Sequence, residues 1–117
     1  MRVVIAGSRD ITDYVRLCKL IERSGFEITE VVSGMARGVD RMGQRWAVAH
    51  GVPIKEMPAN WEKYGKRRAG PIRNRAMAEY CDAGIILWDG KSPGTRDMMN
   101  QLRNRDLPFV VDIIEEA

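Results

Sequence analysis

The stretch from Asp82 to Asp97, D-A-G-I-I-L-W-D-G-K-S-P-G-T-R-D, most constrains what this chain can fold into. Ala83 to Trp88 is an apolar run without alternation, the pattern of a strand covered on both faces. Asp89-Gly90-Lys91-Ser92-Pro93-Gly94-Thr95 ends it with turn residues, and Met98, Met99 and Leu102 then follow at helical spacing. Strand, glycine-rich loop and helix together aim unpaired backbone N–H groups at an anion, and glycine lets the backbone approach it closely. An ordinary βα turn has the same composition, so one loop decides little. The chain contains two more.

Arg2 to Ala6 is short, apolar and β-branched and predicts the first strand, closed by Gly7-Ser8-Arg9-Asp10. Tyr14, Leu17, Cys18 and Ile21 share one face of a first helix, with Thr12 or Asp13 as its N-cap and Gly25 as its stop. Glu30 to Ser33 predicts the second strand, and Ser33-Gly34-Met35-Ala36-Arg37-Gly38-Val39-Asp40 is the second glycine-rich loop. A second helix over Val39 to His50 turns Val39, Met42, Gly43, Trp46 and Ala49 inward and stops at Gly51. Val52 to Met57 is the third strand. Pro58 to Gly70 has no periodicity and predicts a long connection carrying Trp61 and Tyr64. Pro71 suits the first turn of a third helix that runs to about Cys81. Pro108 to Ile113 is the fifth strand.

This order is βαβαβαβαβ with connections of helical length. It predicts a single three-layer α/β domain over residues 1–117, with a five-stranded parallel sheet, right-handed crossovers and helices on both faces. Gly7, Gly34 and Gly90 then fall at the carboxyl ends of three strands, where such sheets bind ligands.

Composition narrows the function classes. The 117 residues fit one domain, and 44% hydrophobic with 30% charged residues suits a soluble core-bearing protein. No run approaches a membrane span or a signal peptide, so the cytoplasm is the default compartment. Cys18 and Cys81 have no metal-like spacing and read as reduced packing residues, and the lone His50 reads as a helix-end residue. Nothing in the sequence calls for a metal or another cofactor. Net charge is only +3, but Lys63, Lys66, Arg67, Arg68, Arg73 and Arg75 cluster with no acid among them. That is a solvated face, or a site for phosphate or nucleic acid.

Four motifs occur in order: G-S-R-D after the first strand, S-G-x-A-x-G-x-D after the second, A-G-P-x-R-N-R at the third helix, and D-A-x-I-x-x-W-D-G-x-S-x-G-T before the fourth. Together they resemble the SLOG superfamily, and more narrowly its small stand-alone DUF2493, YspA-like members, which occur in bacteria and phages. The resemblance covers nearly the whole chain. It implies a Rossmann-like fold and a nucleotide or nucleotide-derived ligand. Superfamily members include the LONELY GUY phosphoribohydrolases, the single-strand-DNA-binding DNA-processing protein A and nucleotide sensors.

On this resemblance Gly7, Ser8 and Arg9 meet the ligand at the first strand, and Ser33, Gly34, Ala36, Gly38 and Asp40 form a second wall. Asp40 is either a helix first-turn carboxylate or a ribose contact. Arg73 and Asn74 contribute from the third helix, and Trp88, Asp89, Gly90, Ser92, Gly94 and Thr95 from the last loop. A base is expected to stack on Trp61 or Tyr64. Arg73 and Asp97 match the places of a catalytic Arg and Glu in the LONELY GUY enzymes. Here, however, Trp88-Asp89-Gly90 replaces the P-G-G opening and Asp97 is one methylene shorter than Glu. A sensor or carrier is therefore expected first, a phosphoribohydrolase acting on nucleoside monophosphates second, and a single-stranded nucleic-acid module third. A nucleoside deoxyribosyltransferase would need a dedicated Glu that the loops lack. Related small proteins pair through helices, so a homo-oligomer is expected, with Met98 and Met99 exposed for that contact.

Overall fold

Strands and helices alternate strictly in the computed structural model, which describes residues 1–115. They are β1 (Arg2–Gly7), α1 (Tyr14–Ser24), β2 (Glu30–Ser33), α2 (Val39–Ala49), β3 (Ile54–Glu56), α3 (Trp61–Tyr80), β4 (Ala83–Trp88), α4 (Pro93–Asn104) and β5 (Phe109–Ile113). All strand pairs are parallel, in the order β3-β2-β1-β4-β5. The chain winds outward from β1 to β3, then returns to lay β4 on the other side of β1. The β1–β4 seam is the switch point of this Rossmann-like sheet.

The unbroken apolar pattern of β4 is explained by burial on both faces. Val3, Ile5, Ile85 and Leu87 pack with Leu17 and Leu20 of α1 and Val39 and Ala47 of α2. Val4, Ala6 and Ile86 pack on the other side with Met77 and Ala78 of α3 and Met98, Met99 and Leu102 of α4. Each large aliphatic side chain removed from water this way contributes about 1.5–3 kcal/mol.

Met98 and Met99 are thus 1% and 2% exposed and are core residues, which corrects the expectation that they form an exposed pairing surface. On α2 the inward residue is Ala47 and Ala49 is exposed, because the helix turns by 100° per residue and its buried stripe runs Val39, Met42, Gly43, Ala47. The third strand is shorter than expected.

The largest departure is α3, which starts at Trp61 within the expected connection. Asn60 caps it, its Oδ1 accepting from the Lys63 amide at 3.1 Å. Gly65 then takes non-helical angles (φ 79°, ψ 174°), so the first turn is offset from the remainder, and Pro71 lies inside the helix. Between Trp61 and Ile72 only Ala69 is buried, so the segment has no apolar stripe to announce it. No helix of the described residues is long and apolar enough to cross a membrane.

Candidate functional site

Because every strand is parallel, the segments after β1, β2 and β4 meet at one edge. Ser8 ties two of them together. It is 1% exposed, its amide donates to the Leu87 carbonyl at 3.1 Å, and its Oγ accepts from the Asp89 amide at 3.0 Å. Asp89 in turn organises the β4–α4 loop. Its Oδ1 accepts from the amides of Ser92 (2.7 Å) and Lys91 (2.8 Å), and its Oδ2 accepts from Ser92 Oγ at 2.9 Å. The Ser92 and Lys91 amides hold this carboxyl at about 2, well below its ordinary value. Trp88 closes the loop by donating from Nε1 to the Ser92 carbonyl at 3.1 Å.

The loop leaves the start of α4 open. Ser92 is its N-cap residue, but the Ser92 hydroxyl is turned to Asp89 and to Ser8 Oγ, 3.0 Å away, and makes no capping bond. The first bond into the helix is from the Arg96 amide to the Ser92 carbonyl, at 3.2 Å. Pro93 has no N–H, so the Gly94 and Thr95 amides are the donors of this end without a partner among the described residues. Gly94 has no positive φ, and a Cβ built there meets nothing within 4 Å. No protein atom requires glycine at this position.

These amides border a cavity of about 570 Å³ at the β1–β4 switch point, within the range of small-molecule sites. Of the residues singled out from sequence, Gly7, Ser8, Arg9, Ala36, Asp40, Arg73, Asn74, Ser92, Gly94, Thr95 and Asp97 line it. Ser33, Gly34, Gly38, Trp88, Asp89 and Gly90 do not. Their roles are to shape the walls. Ser33 Oγ accepts from the Met35 amide at 3.2 Å, and the Ser33 carbonyl accepts from the Met57 amide at 2.8 Å. Gly38 (φ 76°) runs against the Ser8 and Arg9 carbonyls, where no side chain fits. Ser8 lines the cavity too, although its hydroxyl is already engaged within the loop. Trp61 is 44% exposed and lines the same cavity from the offset turn of α3; Tyr64 lines a separate groove. Lys66 and Arg67 complete the rim, and sequence reasoning left them unassigned within the basic cluster.

Arg73 lies at the centre of the polar wall. Nη1 donates to the Gly34 carbonyl at 2.6 Å and Nε to Asn74 Oδ1 at 3.0 Å. The Asn74 amide group donates to Asp97 Oδ2 at 3.0 Å and to the Gly94 carbonyl at 3.1 Å. Arg73, Asn74, Asp97 and the start of α4 therefore form one linked set. Nη2 of Arg73 has no protein partner among the described residues, and it is not sealed from solvent. Burial pulls the Arg73 pKa below its ordinary value; Asp40 opposes this and Arg9 adds to it. Asp40 is 4% exposed, and burial raises its pKa to about 6 against the pull of the Ala36 amide (3.2 Å to Oδ2) and Arg73. Arg9, Arg37, Lys66, Arg67 and Arg73 line this cavity against three acids, Asp10, Asp40 and Asp97, so cations outnumber carboxylates at its wall. An anion is the species that such an arrangement accommodates.

Comparisons with known proteins agree with this architecture. The sequence profile described as "YAcAr: YspA, cpYpsA-related SLOG family" matches residues 1–64. "Gene 61 protein" of Mycobacterium phage D29 is 34% identical over 122 residues, covering 93% of this chain and 94% of that protein. In fold, the chain is similar to DNA processing protein A from Streptococcus pneumoniae, with a TM-score of 0.60 over 93% of this chain at 17% identity. The chain spans only 58% of that structure.

Proposed function

This chain belongs to the YspA, cpYpsA-related SLOG family, and we propose that it binds a nucleotide or nucleotide-derived molecule in the switch-point cavity, as a sensor or carrier. The observation that carries the proposal is the open start of α4 on the same cavity as Arg73, to which Asn74 links it. Two free amides and a guanidinium with an unoccupied Nη2 offer donors to one phosphoryl group in a partly dry site. Trp61, packed beside Gly70 at the rim, offers an aromatic face to a base. Gly94 supports the same placement, since a ligand at the helix start would need the space that a side chain occupies. Mass spectrometry of small molecules released from the purified protein, followed by calorimetry with the compound found, tests this. A nucleotide-class ligand whose affinity falls in Arg73→Ala is expected. Nucleotide-free protein that binds no member of a mononucleotide and dinucleotide panel would falsify it.

The linkage of Arg73 to Asp97 through Asn74 favours one second reading, N-glycosidic hydrolysis of a nucleoside monophosphate. In it Asp97 stabilises oxocarbenium-like charge and orients water while Arg73 fixes the phosphate. Hydrolysis predicts release of free base by the wild type and none by Asp97→Asn, with binding retained. The sensor predicts that both proteins are inert toward bound nucleotide. Lys63, Lys66, Arg67 and Arg68 on exposed α3 are the only support for single-stranded nucleic acid, and a salt-dependent gel shift tests it.

A further inference from the structure

The two edges of the sheet are built differently. β3 is guarded: it has three residues, lies between Pro53 and Pro58, and exposes Lys55 and Glu56. β5 is five residues long, has no proline or lysine, and among the described residues is flanked on its outer side by no other strand. The parity of its bonds to β4 is set at both ends. The Gly84 amide donates to the Pro108 carbonyl at 3.0 Å, and the Ile114 amide donates to the Trp88 carbonyl at 2.8 Å. Even-numbered residues therefore face β4, and Phe109, Val111 and Ile113 direct their amides and carbonyls outward. Their side chains lie on the α3–α4 face, where Val111 is 36% and Ile113 48% exposed.

We propose that two copies of this chain pair antiparallel through β5 about a two-fold axis at Val111, joining their sheets into one. The strand is complementary to itself in this register. Val111 opposes Val111 of the second copy as a hydrogen-bonded pair, and Phe109 opposes Ile113, so every outward amide meets a carbonyl. The Ile113 carbonyl already accepts from Arg16 Nη2 at 3.3 Å and retains a second lone pair for the ladder. Cross-strand contacts on the α3–α4 face are Val on Val and Phe on Ile, the pairs that stabilise sheets. Charge is compatible too. Asp112 faces the other side, is held by Arg16 at 2.7 Å, and opposes Val110 of the second copy, not another acid. Glu115 of the second copy comes opposite Leu107, on the face where Arg103 covers the Phe109 ring at 5.3 Å. A parallel or shifted pairing loses this match.

Sedimentation equilibrium of the full chain across a concentration series tests the interface. The wild type is expected to be a concentration-dependent dimer. Val111→Lys places a charge at the axis, and Val111→Pro removes an amide that faces away from β4, so the fold keeps its own ladder. Both are expected to be monomeric with unchanged far-ultraviolet circular dichroism, and Val111→Thr to remain dimeric. Should Val111→Pro misfold, Val111→Lys decides. Amide exchange supplies a second readout: the Val111 amide slows as wild-type concentration rises and stays fast in Val111→Lys. A wild type monomeric to about 1 mM, where pairing would contribute no more than about 4 kcal/mol, overturns the proposal. So does a dimer that both variants leave intact, which would place the contact on a helical face.

Discussion

Two helices start at the carboxyl edge of the sheet with similar residues and different outcomes. α1 begins after Asp13, whose Oδ1 accepts from the Arg16 amide at 3.1 Å, so its first turn is closed by its own chain. α4 begins after Ser92, an equally good capping residue, and is left open because Asp89 and Ser8 hold the hydroxyl elsewhere. α2 is a third case: Gly38 has no side chain to cap it, but Asp40 in its first turn brings negative charge to that end. Helix starts are generic anion sites. On the proposed function, the contrast teaches that the fold selects one of them by withholding a cap.

Gly94→Val breaks the comparison most severely. A branched side chain at the start of α4 should weaken ligand binding at least 100-fold, about 3 kcal/mol. With nothing within 4 Å of its Cβ, the fold should be unchanged. Calorimetry beside a thermal melt measures both, and unaltered affinity would mean that α4 is no more a ligand end than α1.

Asp40→Asn addresses the helix start blocked by charge. Asp40 binds its proton up to about pH 6 in the native state, whereas in the unfolded chain it ionises near its ordinary 3.8. The native state therefore holds the extra proton between those values, and stability falls as pH rises from about 4 to about 6, then levels. The cost at neutral pH is up to about 3 kcal/mol. Asp40→Asn should remove that decline and be the more stable protein at pH 7, as read by denaturant titration across the window. Asp89 runs the opposite way. Its contribution is present above about pH 4 and is lost as pH falls through about 2. A wild-type curve flat from pH 4 to 6, matched by the variant, would rule out a strained Asp40.

Arg73→Ala should weaken the anion by about 1.5–3 kcal/mol, the worth of a charge-assisted hydrogen bond. Arg16→Ala, a guanidinium engaged with Asp112 away from the cavity, should leave affinity unchanged. Equal losses from both would point to general electrostatics and not to the open helix start.

The smallest effect sharpens the capped side. Asp13→Ala should cost about 1 kcal/mol of stability, a melting-point drop of ~4 °C, without altering affinity. Ser92→Ala loses no cap, so any destabilisation it shows measures the Ser8–Asp89–Ser92 loop instead.

The amino-acid sequence by itself determined the layered α/β class, the parallel sheet and the shared edge of Gly7, Gly34 and Gly90. Those follow from short apolar runs, turn residues and connection lengths, all local quantities. The start of α3 was not legible because its first turns bury almost nothing, and a periodicity argument needs a buried face. Met98 and Met99 show the same limit from the other side: their spacing gives a helix, but only packing against β4 and α3 decides that both are inside. At the site, residue types pointed to Arg73, Asp97 and the last loop. Which of them line the cavity was settled by bonds between distant residues, such as Ser8 to Asp89 and Arg73 to Gly34. A hydroxyl, a carboxylate or a guanidinium has several partners of nearly equal worth. Tertiary structure chooses among them by bringing strand ends together, and that choice turned Asp89 and Trp88 into supports and left α4 open.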